Sequence, residues 1–218
     1  MPKSKPSLPT PDISYIVSAY HRPLMLPACL WSLAQQTHRN FEVIVTDNST
    51  DKRSIAAHKK FVEQINECGL LGNPAPQFVY VHTAPKLKIS DCYRSALYEI
   101  EHHARGQWYS FPCDDTYLVP EYGERMLSAA YSERADFLYC KYCVVGADAS
   151  SWSGYRVWKM GPGRTIKTSL FVRSSVFQGF PGIGDTASPV LADWAYSASM
   201  RDRKVRTATV DEVLVVHN

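Results

Sequence analysis

The chain has 218 residues, enough for one sizeable domain with a substantial core. Its 45% hydrophobic and 21% charged content is that of an ordinary soluble globular protein. A net charge of +3 is too small to argue for a nucleic-acid partner, and no apolar run approaches the roughly 18–20 residues that cross a bilayer. The opening "MPKSKPSLPTPD" is polar, proline-rich and without an apolar h-region, so residues 1–11 are expected to be a disordered lead-in rather than a signal peptide. With no export signal, the six cysteines (Cys29, Cys68, Cys92, Cys113, Cys140, Cys143) are expected to be reduced thiols of a cytoplasmic protein. Cys140 and Cys143 form one C-x-x-C, but a second pair for zinc is not evident, and a strand would point them to opposite faces.

In chain order, "ISYIVSAY" (Ile13–Tyr20) predicts a strand. Leu26, Leu30 and Leu33 then recur at helical spacing, which predicts a helix from near Pro27. "FEVIVTD" (Phe41–Asp47) predicts a second strand and "NSTDKRS" a turn. "SIAAHKKFVEQINECG" predicts a helix ended by Gly69, and "QFVYVHT" (Gln77–Thr83) a third strand. "SDCYRSALYEIEHHA" predicts a helix with Ser90 or Asp91 as N-cap, and "QWYSFP" a fourth strand that runs into "CDDTYLVP".

Four alternations of strand and helix predict an α/β fold with a parallel sheet flanked by helices. Ligands of such sheets bind at the carboxyl ends of the strands, which is where Asp47, Asp114 and Asp115 fall. Asp114 and Asp115 are adjacent at the end of an apolar, aromatic run. Two like charges there must be compensated or point into water. Beyond them, "PEYGERMLSAAYSE" predicts a helix, "DFLYCKYCVVGA" a strand, "DASSWSGYRVWKMGPGR" a polar, aromatic loop or lid, "TSLFVRSSVF" a strand or strand-to-helix segment, "GFPGIGDTASP" a loop, "VLADWAYSASMRDR" a helix, and "KVRTATVDEVLVVHN" one or two closing strands. No clean boundary divides the chain. We read residues 12–120 and 121–218 as two halves of one domain.

"VSAYHRP", "CLWSLAQQTHRNFEVIV", "TDNSTD" and "CDDTYLVPE" together resemble glycosyltransferase family 2 over roughly residues 12–130, in order and spacing. The resemblance implies the GT-A fold: a Rossmann-like, mostly parallel central sheet with a smaller acceptor-side C-terminal portion, residues 12–120 being the nucleotide-sugar-binding half and 121–218 the acceptor-binding half of one domain. It implies an inverting, metal-dependent transferase that moves a sugar from a nucleotide-sugar, a UDP-sugar by the family's pattern. The chemistry is coherent: negative charge grows on the departing diphosphate, and Mn²⁺ or Mg²⁺ held by carboxylate oxygens stabilises it.

By the family's pattern Asp115 is the direct metal ligand and Asp114 lies nearer the ribose or sugar; otherwise one carboxylate caps a helix and the other is solvated. Asp47 matches the position that accepts from the uracil imide, or else is an Asx-turn residue, while Thr46 replaces the family's first acid. Ser18 and Tyr20 lie where the family contacts the base, and His21 stands where it often has Asn. Lys88, ahead of Lys86 and Arg94, is the candidate for phosphate or ribose, or a solvated loop lysine. Asp193 matches the general base at the start of a late helix, with Ala192 replacing a first acid, and Asp185 is its competitor; a helix N-terminal acid is the plain alternative. His217 is a candidate late metal ligand. The aromatic loop with Trp152, Tyr155 and Trp158 suits a flexible acceptor-side lid. The acceptor is left open among a glycan, a lipid-linked sugar, a protein and a modified nucleic acid. The rival readings are a nucleotidyltransferase, against which "SAYHRPL" lacks a glycine-rich phosphate loop, and a non-catalytic nucleotide- or carbohydrate-binding module.

Overall fold

The computed structural model describes residues 10–68, 71, 75–83, 102–145, 156–158 (backbone only), 170–177, 200 and 202–217. Among these lie strands β1 (Ile13–Ala19), β2 (Phe41–Asp47), β3 (Gln77–His82), β4 (Trp108–Ser110), β5 (Thr116–Leu118), β6 (Phe137–Val144), β7 (Arg156–Trp158), β8 (Leu170–Arg173) and β9 (Thr207–His217). The helices are α1 (Leu26–Ala34), α2 (Lys52–Glu67) and α3 (Tyr122–Ser132). All nine strands share one sheet in the order β3-β2-β1-β4-β8-β6-β9-β5, with β7 on β6.

The first half of the sheet is parallel: β1 pairs with β2 and β4, and β2 with β3. Every residue of β1 and β2 is buried, as expected for strands covered on both faces. The second half is mixed: β8 runs antiparallel to β4 and β6, β6 is parallel to β9, and β9 is antiparallel to β5. Thus the two halves of the chain are interleaved, because β5 and β4 flank the strands of the C-terminal half.

Local chemistry explains the helix ends. Pro27 is tolerated in the first turn of α1, where its missing N–H removes no helical bond. Asp51 caps α2 by accepting from the Ser54 N–H, so that helix begins inside the expected turn cluster. Of the expected lead-in only residues 10 and 11 are described, and they are tied to the sheet: the Pro11 carbonyl accepts from the Gln107 N–H at 3.3 Å and the Thr10 carbonyl from the Asn40 amide at 3.2 Å. The polar aromatic segment expected as a loop contains β7, which pairs with Tyr142–Val144. The closing segment is one long strand, β9, whose pairing with β6 shifts register around Lys141. No described helix is long and apolar enough to cross a membrane.

The core is built on aromatic contacts. Trp108 stacks on Phe171 at 5.0 Å between centroids, with the Arg173 guanidinium 4.4 Å over the indole. Arg173 also reaches Asp136 at 2.7 Å. At the amino ends of the parallel strands, buried Glu42 is held by Arg105 Nε and Nη2 at 3.0 and 2.7 Å, by the Arg105 N–H at 2.6 Å and by the Ser14 hydroxyl at 2.7 Å. That pairing satisfies a charge which would otherwise be costly inside the sheet.

Gly106 completes this clamp. Its N–H donates to Ser14 Oγ at 2.8 Å, and a Cβ at this position would lie 2.5 Å from the Ser14 nitrogen. Gly106→Ala is therefore expected to destabilise the fold by about 2 kcal/mol or more in urea unfolding, because the obstruction is backbone. An unchanged midpoint would contradict the close packing of the β4 entrance on β1.

Candidate functional site

The carboxyl ends of β1, β2 and β4 converge as the alternation predicts. The Ser18 N–H donates to the Pro112 carbonyl at 3.2 Å, and the Asp114 N–H donates to the Ser18 carbonyl at 2.9 Å. A bridge between Ser18 and Cys113 thus extends the β1–β4 ladder past the strand and sets Asp114 against β1. The chain re-enters the sheet at once as β5, a strand the sequence reading passed over. The acidic pair consequently sits in a tight turn between two strands, and neither acid caps α3, which begins after Glu121.

Asp114 is buried. Its Oδ2 accepts from the Tyr20 N–H at 3.0 Å, and its Oδ1 lies 3.4 Å from Arg22 Nη1. Burial pushes its pKa up to about 6, against the pull of the Tyr20 N–H and Arg22; neighbouring Asp115 adds to the rise. Asp115 is paired through Oδ2 with the same Arg22 nitrogen. Its Oδ1 faces His217 Nδ1 at 3.4 Å. His217 arrives there because β5 and β9 pair with Thr116 opposite His217, one residue from Asp115. The structure therefore brings together Asp114, Asp115 and His217, three of the residues singled out from sequence, and adds Arg22, which was not.

Tyr20, His21 and Arg22 form the turn after β1. His21 adopts a left-handed conformation (φ 53°), which Asn, Asp and His tolerate better than most side chains. The turn is gripped by the β2–α2 loop: the His21 N–H donates to Ser49 Oγ at 2.9 Å, and its Nδ1 lies 2.6 Å from Asp51 Oδ2.

Asp47 is fully buried at the end of β2. Its Oδ1 accepts from the Ser49 N–H at 2.8 Å; its Oδ2 accepts from Tyr80 at 2.7 Å and pairs with His58 Nδ1 at 2.9 Å. The Ser49 bond is the Asx turn that the sequence reading kept as an alternative. His58 and Tyr80 were not anticipated. Burial alone would raise the Asp47 pKa, but the bonds from His58, Ser49 and Tyr80 lower it to about 2. Burial alone would lower the His58 pKa, but its bond to Asp47 raises it. Ser18 is buried beside the bridge, and Tyr20 is exposed at the site's edge. Lys88, Asp193 and Asp185 lie outside the described residues, as do the side chains of the aromatic loop.

A cavity of about 90 Å³ opens on the acidic turn, lined by Met25, Ala28, Cys29, Asp114, Asp115, Thr116, Tyr117 and Val216. A larger hollow of about 430 Å³ surrounds Glu42 and Arg105 at the other end of the strands, where the polar groups are already spent on each other. The smaller one lies at the carboxyl edge of the sheet, where ligands of open α/β sheets bind.

The residues fit a divalent cation of the kind that takes few protein ligands. Among the described residues, no three His, Cys, Asp or Glu side chains gather round one point. Yet Asp115 Oδ1 and His217 Nδ1 are both buried and without a hydrogen-bond partner, facing each other. Their separation is near the roughly 3 Å between neighbouring ligands on one ion with bonds of about 2.1 Å. Mg²⁺ and Mn²⁺ commonly use one or two carboxylates and complete their shell with substrate phosphate.

The Glycosyl transferase family 2 model matches residues 14–183, more than half of the chain. The chain belongs to that family. Among curated proteins of Bacillus subtilis (strain 168), it is 26% identical to EpsH over 135 residues and 26% identical to CgeD over 139. These alignments cover 62% and 61% of this chain but 35% and 30% of the relatives, so the chain spans about a third of their length. Among solved structures, S. aureus TarS 1-349 in complex with UDP superposes with a TM-score of 0.68 at 18% identity, covering 94% of this chain and 60% of that one. The same protein in complex with UDP-GlcNAc gives 0.65 at 18%, covering 94% and 58%. The mannosyltransferase PcManGT from Pyrobaculum calidifontis, in complex with GDP-Man and Mn²⁺, gives 0.66 at 16%, covering 96% and 57%. The fold is that of the GT-A glycosyltransferases.

The Asp47–His58 pair makes stability depend on pH at both ends. Asp47 has a folded pKa of about 2, below its unfolded value, so its contribution is present above about pH 4 and is lost as pH falls towards 2. A depression of that size is worth about 2 kcal/mol. His58 has a raised pKa, so its contribution is present below about pH 6.5 and is lost as pH rises through the folded value. Asp47→Asn is expected to lower stability near neutral pH and to flatten both limbs of the urea midpoint against pH. Parallel wild-type and variant curves would contradict the pair.

Proposed function

We propose that this chain is an inverting, metal-dependent glycosyltransferase domain that moves a sugar from a UDP-sugar to an acceptor hydroxyl. The observation that carries the reading is the turn at Asp114 and Asp115: two carboxylates at the carboxyl edge of the sheet, one of them with a buried oxygen that accepts no hydrogen bond and lies 3.4 Å from a buried histidine nitrogen that makes none. Family membership and the UDP and UDP-GlcNAc complexes of a structural neighbour support a nucleotide-sugar donor. The GDP-Man and Mn²⁺ complex of another supports a divalent cation.

Asp115 and His217 would hold that cation, Mn²⁺ or Mg²⁺, with Asp114 beside them. When bound it supplies positive charge to the diphosphate leaving group. The chain's own residues do the rest. The bridge at Ser18 and Cys113 fixes the acidic turn on β1, so the carboxylates are held in place before any ligand arrives. Ser18 and Tyr20 bound the base end. Asp47 lies beneath it as the acceptor for a uracil N–H, held by Ser49, His58 and Tyr80. Lys88 meets phosphate or ribose. Asp193 takes the proton from the acceptor hydroxyl as the new glycosidic bond forms on the face opposite the departing diphosphate.

Calorimetric titration with UDP is expected to give binding that requires Mn²⁺ or Mg²⁺, and Asp115→Asn is expected to weaken it at least about tenfold. Asp193→Asn is expected to retain UDP binding and lose sugar transfer by a factor of about 100 or more. A folded wild-type chain that binds no nucleotide with either ion would overturn the reading.

A further inference from the structure

Arg22 is the cation that the acidic turn carries by itself. Asp114 Oδ2 is taken by the Tyr20 N–H, and Asp115 Oδ1 faces His217. The two remaining carboxylate oxygens, Asp114 Oδ1 and Asp115 Oδ2, both fall to one nitrogen of Arg22. The guanidinium is permanently charged and cannot be relieved of its proton at any working pH. Its side chain is nonetheless 49% exposed, whereas those of Asp114 and Asp115 are 5% and 9% exposed. The arginine therefore approaches buried carboxylates from the solvent side on a long stem that can swing away. Its backbone has a separate duty: the Arg22 carbonyl accepts from the Met25 and Leu26 N–H groups at the start of α1, and a side-chain substitution leaves that untouched.

A divalent ion on Asp115 and a guanidinium on the same carboxylate repel each other at close range, and the ion's shell needs the space the guanidinium fills. Building on the metal and donor reading above, we propose that Arg22 is a donor-binding residue that exchanges partners. Without ligand it neutralises Asp114 and Asp115. When a divalent cation arrives with a nucleoside diphosphate, Arg22 leaves the carboxylates and pairs with the diphosphate oxygens beside the ion. The stem is anchored one residue from His21, which a neighbouring turn grips, so the swing is confined to the side chain. The guanidinium fork matches phosphate oxygens as well as carboxylate oxygens, which lets one group serve both states. The arrangement also ties metal binding to donor binding: the ion alone must displace Arg22 with nothing gained in return, whereas the ion with diphosphate gives Arg22 a new partner.

This predicts opposite changes in two titrations. Arg22→Gln keeps the length and removes the charge. It is expected to tighten binding of Mn²⁺ alone about tenfold, read from the electron paramagnetic resonance of free Mn²⁺, and to weaken UDP binding at saturating Mn²⁺ about tenfold, read by calorimetry. Arg22→Lys keeps the charge without the fork and is expected to fall between wild type and Arg22→Gln in both. Circular dichroism checks that each variant is folded. If wild type binds UDP with Mn²⁺ but Arg22→Gln matches it in either titration, the exchange is wrong and the donor reading stands. The exchange is also wrong if UDP binds with no metal and Mn²⁺ binds neither protein, since Arg22 then keeps its carboxylates. If neither UDP nor Mn²⁺ binds any of these folded proteins, the donor reading and the exchange fall together.

Discussion

Two carboxylates joined by one peptide bond and buried at a turn repel each other. Two unit charges about 4 Å apart at an effective dielectric of about 20 interact by about 4 kcal/mol. The acidic turn can therefore exist only where positive charge and N–H dipoles are brought to it, and much of the surrounding structure meets that demand. β1 ends so that the Tyr20 N–H points at Asp114. The turn after β1 continues with Arg22 against both acids. β9 returns from the far end of the chain to set His217 against Asp115. An ordinary surface turn would need none of these.

The requirement also explains why the two halves of the chain are interleaved. β5 follows the acidic pair directly and pairs with β9, the last strand of the sheet in sequence. A histidine near residue 217 can reach residue 115 only through such a pairing. Meanwhile the opposite end of the strands is closed by the Glu42–Arg105 clamp and the close approach of Gly106 to Ser14. The sheet is thus closed by paired groups at its amino end and presents the acidic turn at its carboxyl end, the edge where ligands of open α/β sheets bind.

The parallel half was legible in the sequence because its strands are continuous apolar runs and its helices have clear periodicity. The mixed half was less so. "TYL" is too short to stand out between "CDD" and a proline, and nothing local distinguishes an antiparallel β8 from a parallel one. Asp114, Asp115 and His217 were found through motif resemblance, and the structure brings them together. Arg22 was missed because its partners are 92 and 93 residues away; the signal was its place in the turn that resembles the family's opening motif. His58 and Tyr80 were missed for a different reason. A histidine in an amphipathic helix and a tyrosine in a strand read as ordinary packing, and only the fold shows that they share Asp47.

The account's central claim is that a divalent cation and a nucleoside diphosphate meet at the acidic turn. Paramagnetic broadening of backbone amide signals by Mn²⁺, recorded with and without UDP, tests it most directly. The account predicts loss of signal confined to residues near Asp114 and Asp115, the Ser18–Arg22 turn and His217, at a lower Mn²⁺ concentration when UDP is present. Broadening centred on the Glu42–Arg105 end of the sheet, or no specific broadening with UDP and Mn²⁺ together, would contradict it.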